Sequence, residues 1–232
     1  MPDHLSASRY LDLLHRDGER LLAVAMSEGA LEREVPACPG WRVRDVVDHV
    51  GTVYAHKVVA LETGRRPEPG EWEGPPDGED LVEWCHGLLH RVAANLGRLA
   101  ADDPAWTWWD ADQTAGFWQR RMALETVIHR VDVESALADV TDIPDDLAVD
   151  GIDEVLRIML ADAQEFDVAG PELQGEWVTA QIGAVRVSGA PSDVLLWLWG
   201  RQDAAGSGQA LGVTGTPDQV EVVRRHLREA TQ

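Results

Sequence analysis

The sequence predicts a mainly helical protein, in which a four-helix bundle is followed by a small α+β domain. Long stretches with apolar residues three or four positions apart dominate the first part of the 232 residues. Turn-rich segments divide these stretches into four helices, which is typical of a bundle. Beyond about Pro171, short β-type runs with interspersed glycines alternate with helical stretches. We therefore expect a bundle domain over residues 1–145 and an α+β domain over residues 146–232.

The first two bundle helices have clear start and stop signals. The first is predicted within residues 6–28, because Gly29 stands where a C-cap glycine is expected. The turn-rich EVPACPGW precedes the second, which runs from Val43 to Leu61 and is closed by Gly64.

The other two bundle helices are defined by the loops around them. Pro and Gly are too frequent at 64–79 for regular structure, so a loop is expected there. A third helix follows over residues 81–99. After a Trp-rich loop at 103–117, the fourth is predicted from about Trp118 to Ala138.

The α+β domain is predicted from shorter segments. DDLAVDGIDEVLRIMLADA is expected to be a fifth helix leading out of the bundle. GEWVTAQIGAVRVSG and QALGVTGT contain β-type runs, while APSDVLLWLWGR and PDQVEVVRRHLREA favour helices. DAAGSGQ is expected to be a flexible turn.

The composition of the chain argues against several classes of function and location. A formal net charge of −21 repels phosphate backbones and no basic stripe is visible, so we expect no nucleic-acid partner. The N-terminus lacks an apolar signal segment, and no stretch is apolar enough to span a membrane. Two distant cysteines suggest a reducing, cytoplasmic setting. Lys57 is the sole lysine, and this Arg-for-Lys bias is typical of GC-rich, actinobacterial coding.

The segment ALETVIHRVD places Glu125 and His129 four residues apart on the fourth helix. Such a pair is commonly a solvated side-chain pair on a helix surface. Residues at this spacing also project to the same side of a helix, so the two could instead bind one metal ion. The pair alone leaves both interpretations open.

Helical phase adds a third candidate ligand. Leu124, Val127, Ile128 and Val131 centre the predicted apolar stripe of the fourth helix, and Glu125, His129 and Asp132 form a second stripe on its flank. On the second helix, His49 lies on a flank, with His56 two turns later. Flank positions can face the gap between helices, where bundle metal sites are built. Two histidines and one glutamate would suit Zn²⁺ or another borderline ion and leave positions open for substrate.

His86 and His90 form a competing pair with the same spacing on the third helix. They lie in phase with Glu83 rather than with the apolar residues, so a solvated face is the favoured interpretation for them. Serine-hydrolase and nucleotide-binding motifs are absent from the sequence. Trp106, Trp108 and Trp109 could either seal a bundle end or line a pocket.

Three stretches together resemble the mycothiol-dependent maleylpyruvate isomerase family. They are CPGWRVRDVVDHV on the second helix, ALETVIHRVD on the fourth, and SDVLLWLWGR in the tail. The family bundle belongs to the wider DinB-like superfamily, so the resemblance implies a DinB-like four-helix bundle. It also implies a metal site, with Zn²⁺ held by His49, Glu125 and His129, and it excludes His56, His86 and His90 as ligands.

The resemblance also extends to the C-terminal domain, which in this family is similar in topology to sterol carrier proteins. The segment Trp199, Gly200, Arg201 matches a family segment whose arginine is implicated in activity, so Arg201 is a candidate catalytic residue. A surface ion pair is the alternative for Arg201. The tail between Phe166 and Val187 looks shortened, and a strand could be missing there.

The resemblance implies an enzyme that uses a divalent metal and mycothiol, as cofactor or co-substrate, on a small electrophile. The reaction would be isomerisation of the maleylpyruvate type or thiol S-transfer. The alternative is a non-catalytic module on the same fold that binds or senses a metal or ligand.

Overall fold

The computed structural model describes residues 4–72, 74–76, 80–137, 140–161, 166–201 and 211–231. The chain divides into two compact units, one over Leu5–Asp139 and the other over Val140–Gln232 together with Met1–His4. This division falls at 139/140, and the domain boundary expected at 145/146 stays a prediction.

The Leu5–Asp139 unit is the predicted four-helix bundle. Its helices are α1 (Ala7–Ala25), α2 (Val43–Thr63), α3 (Leu81–Leu96) and α4 (Ala115–Ser135), with a 3₁₀ turn at Ala30–Glu32. The most extensive packing is between α1 and α4 and between α2 and α3. Apolar side chains from all four helices are buried between them.

Helix ends follow local capping chemistry. Ser6 accepts a hydrogen bond from the backbone N–H of Arg9 at the start of α1, and Asp80 caps α3 through Val82 and Glu83. Gly64 ends α2 with a φ of 68°, the left-handed conformation that glycine adopts at low cost. These ends agree with the predicted helices.

α4 begins three residues earlier than predicted. The N–H groups of Ala115 and Gly116 donate to Asp103 O and Ala101 O, at 2.9 and 2.8 Å. The preceding loop thus satisfies donors that a helix start leaves unpaired. This long-range pairing allows the helix to begin inside the stretch predicted as a loop.

α4 is not amphipathic, contrary to the predicted apolar stripe with a flank. Every residue from 117 to 134 is buried. Its buried charges are paired: Arg130 contacts Glu134 at 2.5 Å and Asp17 of α1 at 3.1 Å, and Arg20 of α1 contacts Glu134 at 2.7 Å. Buried charges of this kind persist only when they are paired.

The Val140–Gln232 unit combines three helices with an antiparallel sheet. α5 (Asp145–Glu154) continues into a π-helical turn at Val155–Met159. The strands β1 (Val168–Gln174), β2 (Trp177–Ile182), β3 (Val185–Gly189) and β4 (Gly212–Thr214) are ordered 1-2-3-4, and the helices α6 (Pro191–Leu198) and α7 (Pro217–Thr231) complete the unit. The expected α+β tail is confirmed.

The sheet contains a strand that the sequence pattern did not predict. β1 includes Gly170 and Pro171, and its register with β2 shifts between Ala169 and Glu172. Proline is tolerated on an edge strand at a bulge, and β1 is an edge strand. The predicted strand QALGVTGT is represented by Gly212–Thr214. Its first two residues, and the turn expected at DAAGSGQ, lie outside the described residues.

None of the helices in the described part of the chain combines the length and apolar character that crossing a bilayer requires.

Candidate functional site

His49 of α2 meets Glu125 and His129 of α4 inside the bundle. Glu125 Oε1 lies 3.2 Å from His49 Nε2 and 3.2 Å from His129 Nε2. The two imidazole rings have centroids 4.8 Å apart and are nearly perpendicular. The three residues that the family resemblance singled out therefore point at one another.

These three side chains suit a divalent metal ion. One ligand atom from each lies within 4.8 Å of the other two. Zinc bonds to nitrogen and oxygen of about 2.0–2.1 Å place adjacent tetrahedral ligands roughly 3.3 Å apart, close to the two observed separations from Glu125 Oε1. The set leaves a fourth position open, as catalytic sites do.

Asp132 orients His129 from the next turn of α4. His129 Nδ1 and Asp132 Oδ2 are 3.0 Å apart, and Asp132 is fully buried. Donation from Nδ1–H to this carboxylate leaves Nε2 as the ligand atom. Metal-bound histidines characteristically have such a partner. Asp132 was predicted on the same stripe without a role, although its i,i+3 spacing from His129 could have indicated one.

Arg121 holds the other oxygen of Glu125. Its guanidinium forms an ion pair with Glu125 Oε2 from one turn earlier on α4. Burial alone would raise the pKa of Glu125, but Arg121 and His129 outweigh it and hold that pKa well below its usual range. Glu125 is therefore ionised and ready to bind a cation. Arg121 was not among the predicted site residues, although its i,i+4 spacing from Glu125 is visible in the sequence.

The protonation states of His129 and Glu125 depend on each other. Burial alone would lower the pKa of His129, but Glu125 and Asp132 raise it to about 9. In the metal-free protein the pair therefore resembles an ion pair. A cation bound between Glu125 and His49 would take the place of the proton on His129 Nε2.

The Pro-Gly-Trp turn before α2 shapes the approach to His49. Gly40 has a φ of 86°, and Val35 N–H donates to Trp41 O at 2.9 Å, which closes the turn. The Trp41 ring then lies beside His49, with centroids 5.4 Å apart. A cleft of about 450 Å³ opens here, lined by Gly40, Trp41, Asp45, Asp48, His49 and Thr52.

A second cleft, of about 390 Å³, lies further along α2. It is lined by His56, Lys57, Arg66, Trp106, Thr107, Trp108 and Asp110. Trp106 and Trp108 thus line a pocket, one of the two roles considered for them. Lys57 Nζ lies 4.8 Å from the centroid of the Trp118 ring. Burial lowers the pKa of Lys57 to about 8, although Glu125 acts in the opposite direction.

Arg201 is in the other compact unit, directly after α6. The alternative considered for it was a surface ion pair, but the residue is only 3% exposed. Its Nη1 donates to Trp199 O at 2.6 Å, and its guanidinium lies 5.8 Å from the centroid of the Trp199 ring. A surface ion pair therefore does not describe Arg201, and its functional role stays a prediction.

Comparison with known proteins agrees with the resemblance drawn from the three motifs. A family model described as mycothiol maleylpyruvate isomerase N-terminal domain matches residues 11–134, which include His49, Glu125 and His129. The MDMPI C-terminal domain model matches residues 146–221, which include Arg201. No curated protein and no solved structure matches the chain. Since the first model alone spans more than half of the chain, and the second most of the remainder, this protein belongs to the mycothiol maleylpyruvate isomerase family.

Proposed function

We propose that this protein is a metal-dependent enzyme that uses mycothiol, as an isomerase of the maleylpyruvate type or as a thiol S-transferase. The observation that carries the proposal is the meeting of His49, Glu125 and His129 beside an open cleft, in a member of this family. Two buried ligands and one half-buried ligand suit a site that solvent and substrate reach from one side.

Zn²⁺ is the first choice of metal, because imidazole and carboxylate ligands with an open position suit a borderline ion. When bound, such an ion lowers the pKa of a coordinated thiol, so that it is presented as a thiolate near neutral pH. Asp132 and Arg121 fix the ligand atoms of His129 and Glu125 through the contacts given above.

The nucleophile would come from outside the chain. Burial, reinforced by Asp48, raises the pKa of Cys85 to about 12, so this thiol is protonated at neutral pH. Cys38 and Cys85 are both reduced thiols, which fits a reducing cytoplasmic setting. A low-molecular-weight thiol is therefore the proposed co-substrate, with mycothiol as the candidate that the family name supplies.

With maleylpyruvate as the electrophile, the thiolate sulfur would add to one carbon of the double bond, and the displaced electron pair would move onto the conjugated carbonyl. The remaining carbon–carbon single bond can rotate. Return of the electrons would re-form the double bond in the trans geometry and expel the thiolate. We propose Arg201 as the clamp for a substrate carboxylate. An S-transferase would stop after addition or displacement.

The test is turnover by zinc-loaded protein with mycothiol, supplied with maleylpyruvate and with a panel of other electrophiles. We expect activity that needs both metal and mycothiol, that glutathione does not replace, and that is lost in His129→Ala. Circular dichroism should show that chelation leaves the helices intact, because a bundle of this size has its own apolar core. Bound metal with neither isomerisation of maleylpyruvate nor thiol consumption with any electrophile would contradict the proposal and favour the non-catalytic binding module.

A further inference from the structure

A second group of potential metal ligands lies on α1 and α3, helices that supply none of the three ligands at the His49 site. His15 and Glu19 are four residues apart on α1, and His86 and His90 are four residues apart on α3. Each pair therefore projects from one side of its helix. Because α1 packs against α3, the two pairs meet.

The donor atoms converge on Glu19. Its Oε1 lies 3.1 Å from His86 Nε2, 3.1 Å from His90 Nε2 and 3.6 Å from His15 Nδ1. The Nε2 atoms of His86 and His90 are 3.0 Å apart. One ligand atom from each of His15, Glu19 and His90 lies within 4.8 Å of the other two, and His86 adds a third imidazole beside Glu19 and His90.

These separations match a coordination shell. Tetrahedral ligands on zinc are roughly 3.3 Å apart, given bonds of about 2.0–2.1 Å, and the four contacts between 3.0 and 3.6 Å lie on either side of that value. The rings of His86 and His90 are nearly perpendicular, with centroids 4.4 Å apart. They meet through nitrogen atoms at their edges and do not stack.

The group is accessible to an ion from solvent. The four side chains are between 43% and 52% exposed. Glu19 and His86 also line a cleft of about 740 Å³. An ion could therefore enter without unfolding any helix.

A divalent cation placed among these side chains would be attracted to the carboxylate and to the ring nitrogens of the histidines. Three imidazoles and one carboxylate favour zinc and the neighbouring late first-row ions over Mg²⁺ and Ca²⁺, which prefer oxygen ligands.

We propose that His15, Glu19 and His90, with His86 beside them, form a second site for zinc or a similar transition-metal ion, which links α1 to α3. Because its ligands come from two helices, the role of this site is to stabilise the bundle. It shares no residue with the His49 site, and the proposal does not depend on the proposed enzymatic function.

The test is zinc stoichiometry, measured by equilibrium dialysis and elemental analysis on metal-free protein. We expect two ions per chain in the wild type and one in either His90→Ala or Glu19→Gln, which alter side chains that are 49% and 43% exposed. The His129→Ala variant should also bind one ion, because it loses the ion of the His49 site and keeps the ion of the second site. His56→Ala, a histidine of α2 outside both groups, should keep two.

Melting temperatures test whether a bound ion links α1 to α3. In the His129→Ala background, zinc should raise the melting temperature by several degrees, and Mg²⁺ should not. Adding His90→Ala should abolish that rise. Co²⁺ in the same background should show the intense visible bands of tetrahedral coordination.

The proposal is overturned if His90→Ala and Glu19→Gln bind as many ions as the wild type. It is equally overturned if the second ion binds only so weakly that millimolar imidazole removes it and the melting temperature does not change. Loss of the His49 ion alone would count against the proposed function and not against this second site.

Discussion

At the scale of single residues, the candidate metal centre depends on neighbours that fix its ligands. Glu125 uses one oxygen towards both histidines and the other towards Arg121, while Asp132 holds the far nitrogen of His129. The ligand atoms are therefore held in place before any ion arrives. Such pre-organisation reduces the entropy that binding must overcome.

Asp132→Asn tests this positioning role. The amide keeps the shape of the side chain but loses the charge that favours Nδ1–H donation from His129. We expect zinc affinity to fall about 10- to 100-fold, with the helix content unchanged.

Asp17→Asn is the matched control for Asp132→Asn. Asp17 is a buried carboxylate of the same bundle, but it contacts Arg16 and Arg130 and no metal ligand. The Asp17→Asn substitution should lower the free energy of unfolding without changing zinc affinity at the His49 site. Equal effects of the two variants on affinity, measured by competition with a chelating dye, would mean that Asp132 acts only through stability.

Lys57 carries a charge that destabilises the fold. Burial lowers its pKa from 10.5 to about 8, so folding disfavours the protonated form. This destabilisation is fully present below pH 8, where Lys57 is protonated in both the folded and the unfolded chain. It is relieved as the pH rises from about 8 to 10.5, because only the unfolded chain then binds the proton.

We expect Lys57→Met to raise the free energy of unfolding at pH 7 by on the order of 2 kcal/mol, after allowing for the lost contact with Trp118. The gain should shrink towards pH 10.5. Urea denaturation at several pH values measures it, and a gain that does not vary with pH would contradict the assigned cause. The charged or titratable groups around Lys57 are His56, Arg66, Asp110, Arg121 and Glu125.

At the scale of elements, close packing of α2 on α3 carries His49 into position. α2 approaches α3 at Gly51, two residues after His49, where an added methyl group would collide with the ring of Trp84. The absence of a side chain at Gly51 therefore sets how near the two helices come.

We expect Gly51→Ala to lower the free energy of unfolding by about 1–3 kcal/mol through overpacking, and to weaken zinc binding at the His49 site. Gly87→Ala on α3 is the matched control, because no atom lies within 4 Å of the added methyl group. It should stabilise the bundle by about 0.5–1 kcal/mol, as alanine normally does in a helix interior. The midpoints of urea denaturation compare the two variants. A Gly51→Ala variant as stable as the wild type would contradict the conclusion that Gly51 sets the distance between α2 and α3.

At the scale of the whole molecule, a net charge of −21 opposes the approach of an anionic substrate. The cleft of about 390 Å³ further along α2 is lined by two cations that act against this field locally, Lys57 and Arg66. Binding of an anion would therefore depend on a few positively charged side chains and not on the overall field.

Two roles are tested for Arg201, that of a substrate clamp and that of a structural residue. If it clamps a substrate carboxylate, Arg201→Gln should lower turnover by orders of magnitude, because glutamine supplies a donor for Trp199 O but no charge. Arg201→Lys should recover only part of the activity, since lysine lacks the planar fork. Metal content should stay at the wild-type level in both.

Because Arg201 is buried, its substitutions could also act through stability. Melting temperatures separate the two roles: turnover that falls only in proportion to the folded fraction would make Arg201 a structural residue. Wild-type kinetics in Arg201→Gln would likewise end its assignment as a substrate clamp.

Sequence by itself determined the features that arise within one helix or one turn. The bounds of α1 and α2, the glycine that ends α2 and the shared face of Glu125 and His129 all follow from local spacing and backbone preference. Helical phase placed His49 on a flank of the second helix, and the family motifs joined it to Glu125 and His129 as one ligand set.

Tertiary structure alone decided which side chains meet across helices. It buried α4 on every side, extended that helix into the preceding loop, and folded Arg201 back onto Trp199. It also gathered His86 and His90 with two residues of α1, although their helical phase had indicated only a solvated face. The physical reason is that periodicity reports the direction in which a residue points, whereas its neighbours depend on how distant segments of the chain pack.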